Sequence, residues 1–283
     1  MNPRRAIALF GAVLGLFPVS AIAAPVRVAS YGLCADQMVL MLAPREQIAA
    51  VSPQATGPLS HYAARARGIP ATRGSAEEIL ASGARLLVTS DMMDKRTMAA
   101  LDRFGIAVLP LPFANDWAEI TAMTRDVAEA LGRPERGEAV IADMRATLAA
   151  ARPSEPRGHW PSIIYYRPDG GGAGGGTFVD AALQAAGYRN LQAEWGPPGW
   201  GGVPLERVIG APPSAFAVSY FDGAAPSSTV LRRNPLLWGK AQHRPILSVP
   251  GKYWNCGSPL LAEAVKWLAA RRGPLRARMT GGA

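Results

Sequence analysis

The sequence predicts an α/β protein built as two parallel-sheet lobes joined by one long helix. Three observations carry that expectation. Short apolar runs each feed a helical stretch, helical periodicity persists from residue 116 to 151 with one break, and two stretches echo each other without gaps at an offset of 129 residues. Short strands alternating with helices are the pattern of parallel sheets covered on both faces. The strand Val26 to Ser30 leads to a helix over Ala35 to Leu42, and the strand Ile48 to Val51 to a second helix near Leu59 to Ala66. A helix at Ala76 to Leu80, a strand at Leu86 to Thr89, a helix at Lys95 to Phe104 and a strand at Ala107 to Leu111 complete the first lobe, residues 24–133.

From Asp116 onward the apolar residues Ile120, Met123, Val127 and Leu131, then Ile141, Met144 and Leu148, recur at helical spacing. Gly132-Arg133-Pro134 interrupts the run, and Pro134 can open the second helix at its first turn. That second helix, residues 134–152, is the link. The other lobe, residues 153–271, carries strands at Ile163 to Tyr166, Phe216 to Ser219 and Ile246 to Val249, with helices at Phe178 to Ala186, Leu205 to Ile209 and Leu260 to Ala270. Residues 272–283 read as a basic tail. The echo lays Ser75 to Leu80 and Ala84 to Ser90 on Pro204 to Ile209 and Pro213 to Ser219. Each unit is a short helix with an acid near its start, a tight turn and a buried strand. Glu77 and Glu206 thus sit in first turns, where the helix dipole favours a carboxylate, and on that ground alone they are plain caps of surface helices.

Composition excludes several classes. With 49% hydrophobic and 18% charged residues and two cysteines in 283, the chain is no disordered polymer, coiled coil, disulfide miniprotein or zinc ribbon. Arg4 and Arg5 precede an apolar run from Ala6 to Val19, and Ala21-Ile22-Ala23 supplies small residues where a signal peptidase reads, so Sec export with cleavage after Ala23 is expected. Losing that leader, residues 1–23, lowers the formal net charge from +9 to +7. The remaining arginines are dispersed apart from the C-terminal cluster, which argues against nucleic acid as a partner.

Chemistry-bearing motifs are few. There is no Gly-x-Ser-x-Gly elbow, and His61, His159 and His243 are isolated from one another, so neither a hydrolase triad nor a metal cage is indicated and no cofactor is called for. The loop Asp169 to Thr177 satisfies Gly-x-Gly-x-x-Gly, yet six glycines in seven residues make that match a product of composition. The better reading is a flexible strand-to-helix loop at the end of a strand, where α/β sheets bind ligands. Aromatic residues gather at the ends of the expected strands and in loops, Phe113, Trp117, Tyr165 and Trp195 among them, and about half of them are expected to meet a large, partly apolar ligand. Tyr31, Tyr166, Trp200, Tyr220, Tyr253 and Trp254, with Cys34 and Arg167, are the candidate cleft residues. For Cys34 and Cys256 a disulfide and two separate small apolar residues at the cleft are equally compatible with the sequence.

Together these residues resemble the periplasmic substrate-binding proteins of the cobalamin and ferric-siderophore class, the class III components of type II ABC importers. The resemblance runs from Val26-Arg27-Val28-Ala29-Ser30 through Cys34-Ala35-Asp36-Gln37, Arg73-Gly74-Ser75-Ala76-Glu77-Glu78 and Leu131-Gly132-Arg133 to Trp254-Asn255-Cys256-Gly257-Ser258-Pro259. It implies two Rossmann-like lobes, a rigid linking helix, a shallow cleft between the lobes and little hinge motion. It also implies that Glu77 and Glu206 dock onto arginines of a permease dimer. Relatives take cobalamin, ferric siderophores, haem or free metals. The histidines of the metal binders are absent here, and Ala71-Thr72-Arg73-Gly74 stands where haem binders carry a tyrosine. A ferric siderophore or a cobalamin-like corrinoid remains, captured by a monomer without covalent chemistry. The basic charge suggests an anionic siderophore contacting Arg73, Arg167 or Arg189. The alternative is an exported enzyme using Cys34 or the glycine-rich loop.

Overall fold

Two four-stranded parallel sheets, one per lobe, form the frame. The computed structural model describes residues 26–90, 93–167, 169–218 and 231–280; the leader with its cleavage position, Tyr220 and the last three residues lie outside them. The first lobe contains β1 (Val28–Tyr31), α1 (Leu33–Leu42), β2 (Ile48–Ala50), α2 (Ala63–Ala66), α3 (Ala76–Ala81), β3 (Leu86–Thr89), α4 (Lys95–Arg103) and β4 (Ala107–Pro110). Its strands lie in the order β2-β1-β3-β4, with Val28 opposite both Ile48 and Leu86, and Leu86 opposite Ala107. All four positions of β3 are buried, as an apolar run covered by helices on both faces requires.

The second lobe contains β5 (Ser162–Tyr166), β6 (Gly171–Ala173), α7 (Phe178–Ala185), β7 (Arg189–Asn190), α8 (Leu191–Trp195), β8 (Trp200–Gly202), α9 (Leu205–Gly210), β9 (Ala215–Val218), α10 (Pro235–Ala241), β10 (Ile246–Ser248), α11 (Gly251–Trp254) and α12 (Leu261–Thr280), the helix numbers following on from the α5 and α6 of the link. Its main sheet has the order β10-β9-β5-β7. Each lobe therefore places its first strand between its second and third main strands, and its fourth outermost. The α3–β3 and α9–β9 units occupy equivalent places, so the internal echo is a structural repeat.

Between the lobes run α5 (Trp117–Ala130) and α6 (Pro134–Ala151). Asp116 caps α5 by accepting from the amides of Ala118 and Glu119, and Gly132, at φ 67°, ends the helix pair's turn in the left-handed region. A Cβ at Gly137 would overlap that of Ala128, so the two helices touch backbone to backbone at that level. Both ends of α6 are tied down. At its start Arg136 donates to the Met41 carbonyl and Arg133 to Gln47, whose own amide donates to Val26 and Leu131. At its finish Arg272 donates to the carbonyls of Ala151 and Ala186, joining α6, α7 and α12. These bonds give the linking helix a fixed seat on each lobe.

Three stretches differ from expectation. The glycine-rich segment is no flexible loop: Gly171–Ala173 pairs antiparallel with Trp200–Gly202. Glycine strands carry no β propensity, so side-chain patterning is silent about them. The helix expected near Leu59 to Ala66 shrinks to the single turn of α2. The basic tail is the continuation of α12, which passes Pro274 because Arg272 and the buried Leu275 hold the segment against the second lobe.

The packing around β6 makes a testable demand. A Cβ at Gly172 would overlap Gln192 Oε1 and lie 2.7 Å from the Tyr165 carbonyl oxygen and from Val203. Gly172→Ala is therefore expected to destabilise the protein by about 1–3 kcal/mol through forced displacement of β8. Urea unfolding monitored by tryptophan fluorescence measures it, and an unchanged midpoint would show that Gln192 swings aside freely.

Candidate functional site: a cleft between the lobes

The carboxyl ends of the strands in both lobes converge on one cleft. From the first lobe the segment after β4 supplies Phe113, which is 66% exposed despite being aromatic. From the second lobe β8 supplies Trp200, 36% exposed, and the first residue of α7 supplies Phe178. The three rings form one cluster across the cleft, with centroids 5.8 Å (Phe113–Phe178), 6.2 Å (Phe113–Trp200) and 5.1 Å (Phe178–Trp200) apart, in the tilted and edge-on arrangements aromatic pairs prefer. The Arg167 guanidinium stands 5.8 Å from the Trp200 ring centre and pairs with Asp169 at 2.6 Å. Hydrogen bonds from the Gly171 amide and from Arg167 hold the Asp169 carboxyl below the usual range, so it stays ionised.

Trp254 forms the floor. It is almost fully buried and packs on Tyr165 at 5.5 Å between centroids, and burial pushes the Tyr165 phenol up to about 12, keeping it neutral. The chain then turns toward the first lobe. A Cβ at Gly257 would overlap the Ala114 carbonyl oxygen, so only glycine permits that approach. Cys256, beside it, forms a disulfide with Cys34 in the first turn of α1, with the two Cα atoms 5.8 Å apart. Cys34 is in turn held by a buried polar knot: Asp36 accepts from the hydroxyls of Ser30 and Ser52 and from the Ser52 amide, fixing α1 to the ends of β1 and β2.

Two cavities result. One of about 430 Å³ lies between Cys34, Gln54, Ser90, Phe113, Asn255 and Ser258; the other, about 260 Å³, lies among Phe113, Arg167, Phe178, Trp200, Trp254 and Asn255. A third of about 360 Å³ opens elsewhere, beside α6, where His61 faces Arg136, Asp143 and Glu263. Burial and the neighbouring Lys252 hold His61 below its ordinary pKa.

The sequence-derived candidates divide accordingly. Cys34, Arg167, Trp200 and Trp254 line the interlobe cavities. Tyr31, Tyr166 and Tyr253 line neither: Tyr31 packs under Gly74, Tyr166 belongs to the apolar core of the second lobe, and Tyr253 faces His61 at 5.4 Å. Strand-end position alone does not say which way a ring turns, and these three turn toward protein. Phe113, one of the strand-end aromatics, lines both cavities, whereas Phe178, Asn255 and Ser258 were not among the cleft candidates. The polar residues flanking Cys256 are the signal that could have marked the last two. Arg189 is bound bidentately by Glu194, and Arg73 is exposed and lines neither cavity. Cys34 carries no thiol, which removes the nucleophile of the enzyme reading. Among the described residues no group of three or more His, Cys, Asp or Glu side chains is placed to hold a metal ion, and no helix is long and apolar enough to cross a membrane.

Glu77 and Glu206 are exposed, each in the first turn of a six-residue helix whose Ile79 or Val208 is buried. Neither forms an ion pair with a described residue. One free carboxylate per lobe is thus displayed at equivalent places of the repeat.

Two α/β lobes on a fixed helix, closing over an aromatic cleft, define a solute-binding protein. The chain belongs to the periplasmic binding protein family, whose model matches residues 28–236. Its curated relatives include a cobalamin-binding protein of Halobacterium salinarum, 25% identical over 173 residues, which are 60% of this chain and 47% of that protein. The match thus spans about half the length of that relative. Similar solved structures include a periplasmic heme-binding protein from Roseiflexus sp. RS-1 (24% identity, TM-score 0.72, covering 89% of this chain and 99% of that one) and a heme-binding protein of Vibrio cholerae (18%, 0.72, 88% and 98%). An Fe3+-hydroxamate transport protein from Saccharomonospora viridis is similar over 92% of this chain and 94% of its own, at 19% identity and TM-score 0.65. At these identities the structures establish the shared fold.

Proposed function

We propose that the chain is the extracytoplasmic component of an ABC importer, exported by the Sec route with cleavage after Ala23. It captures a metal chelate, a ferric siderophore or a cobalamin-like corrinoid, in the interlobe cleft. It then delivers the chelate as a monomer to a permease dimer through Glu77 and Glu206. One observation carries this reading: aromatic rings from both lobes face each other across cavities between lobes that the linking helix and the disulfide both join. Such a cleft offers a large, partly apolar ligand broad contact on two sides at little cost in ordering the protein. The cobalamin-binding name of a curated relative supports a chelate cargo.

Native mass spectrometry of protein purified from the periplasm is the direct test, since a retained chelate identifies itself by mass. Trp200→Ala is expected to weaken binding of that chelate about tenfold, the loss of one aromatic wall, without lowering the thermal midpoint. Unaltered affinity in that variant would place the ligand outside the cleft.

A further inference from the structure

Asn255 lines both interlobe cavities. Its amide oxygen and nitrogen are shielded from solvent, and neither has a hydrogen-bond partner among the described residues. Ser258, 2% exposed on the wall of the larger cavity, carries an unpartnered hydroxyl as well. Native proteins pair nearly all buried polar groups, because an unpaired one loses its hydration and gains nothing in return. Three such atoms within four residues, on either side of the Cys256 disulfide and next to the buried Trp254, are a point of recognition.

The charges around that point narrow the ligand further. Among the described residues lining the two cavities only Arg167 is charged, and Asp169 already neutralises it at 2.6 Å. A multiply anionic chelate would shed its hydration here without meeting an unpaired cation. A neutral chelate avoids that penalty. A carboxamide presents an acceptor and a donor side by side, the complement of the two idle atoms of Asn255.

We infer, on the footing of the chelate-delivery reading above, that Asn255 with Ser258 is the polar anchor that sets specificity, and that the cargo is a chelate of near-zero net charge bearing carboxamide groups. The apolar body of such a ligand lies against Phe113, Phe178 and Trp200, and its amide fringe reaches Asn255. The same chemistry is found in a corrinoid and in a neutral ferric hydroxamate built on a peptide ring.

The test measures quenching of tryptophan fluorescence by four probes: cyanocobalamin and ferrichrome, which are neutral, and hemin and ferric enterobactin, which are anionic. One neutral probe is expected to bind about a hundredfold more tightly than either anionic one, and which of the two it is separates corrinoid from hydroxamate. Its affinity should change little between low and high salt, since no unpaired charge meets it. Asn255→Asp, equal in shape but lacking the donor and adding a charge, and Asn255→Ala should each weaken it about tenfold or more. Thermal midpoints recorded alongside separate lost recognition from lost folding. A neutral probe bound equally by all three proteins overturns the anchor while leaving chelate delivery standing. Tighter binding of an anionic probe overturns the proposed ligand class. Failure of all four probes, with no chelate retained in native mass spectrometry, overturns both readings.

Discussion

Replacing Glu77 and Glu206 together by alanine is expected to reduce uptake to background in cells while leaving the affinity of the purified protein for its chelate within about twofold. The two carboxylates stand in first turns of equivalent helices, exposed and outside the cavities that hold the aromatic rings. Their loss therefore leaves the cleft intact. If each meets a cation of the permease dimer, truncating both costs about 3 kcal/mol or more of docking free energy, at least a hundredfold in occupancy of the complex. Because charges at such a rim act chiefly on orientation and encounter rate, the wild-type complex should weaken as salt rises, whereas chelate binding should not. Uptake of labelled chelate, paired with fluorescence titration of the purified variant, distinguishes the two effects. A tenfold loss of chelate affinity would place these acids in the pocket and defeat the docking role.

The second large effect concerns the Cys34–Cys256 bond, which closes a loop of 222 residues. Chain entropy alone assigns such a closure an upper value of about 5 kcal/mol. For a chain of this size that corresponds to a fall in thermal midpoint of roughly 10–20 °C on reduction. Cys34→Ala with Cys256→Ala should show the lowered midpoint without reductant and no further change with it; alanine is the right substitute because Cys256 is buried and alanine adds no polar group there. Differential scanning calorimetry on both proteins, with and without a phosphine reductant, measures it. A shift under about 2 °C would mean that the seats of α6 already hold the lobes together.

The frame of the molecule was legible because burial imposes pattern. Leu86–Thr89 is apolar at its first three positions and buried at all four, and its boundaries agree with those read from the sequence. Gly132-Arg133-Pro134 likewise marks the break between α5 and α6. The echo around Glu77 and Glu206 identified the repeat because equal topology demands equal placement of Ile79 and Val208. The cleft was less legible. Tyr31 and Tyr166 end strands and Tyr253 follows one, yet all three turn into protein whereas Trp200, at the start of β8, lines the cleft; ring direction depends on distant neighbours such as Gly74 and His61. The pairing of β6 with β8 rests on the absence of side chains at Gly172 and Gly174, which leaves no periodic signal. Asn255 carries no site signal in the sequence beyond its place in the Cys256 motif, because an asparagine just after a helix is ordinarily a turn residue. Only its lack of a partner in three dimensions sets it apart.

The double fastening of the lobes, by α6 on one side and by Cys34–Cys256 on the other, bears on time as much as on shape. If, as the family resemblance implies, the lobes hinge little, cargo leaves only as fast as its own dissociation allows. At an affinity of about 10 nM and an association rate of about 10⁷ M⁻¹ s⁻¹, that means a residence of roughly ten seconds. Import faster than this requires the membrane partner to act as a release catalyst, straining the fastened lobes apart. The stiffness that makes capture economical thus turns discharge into work that the importer must perform.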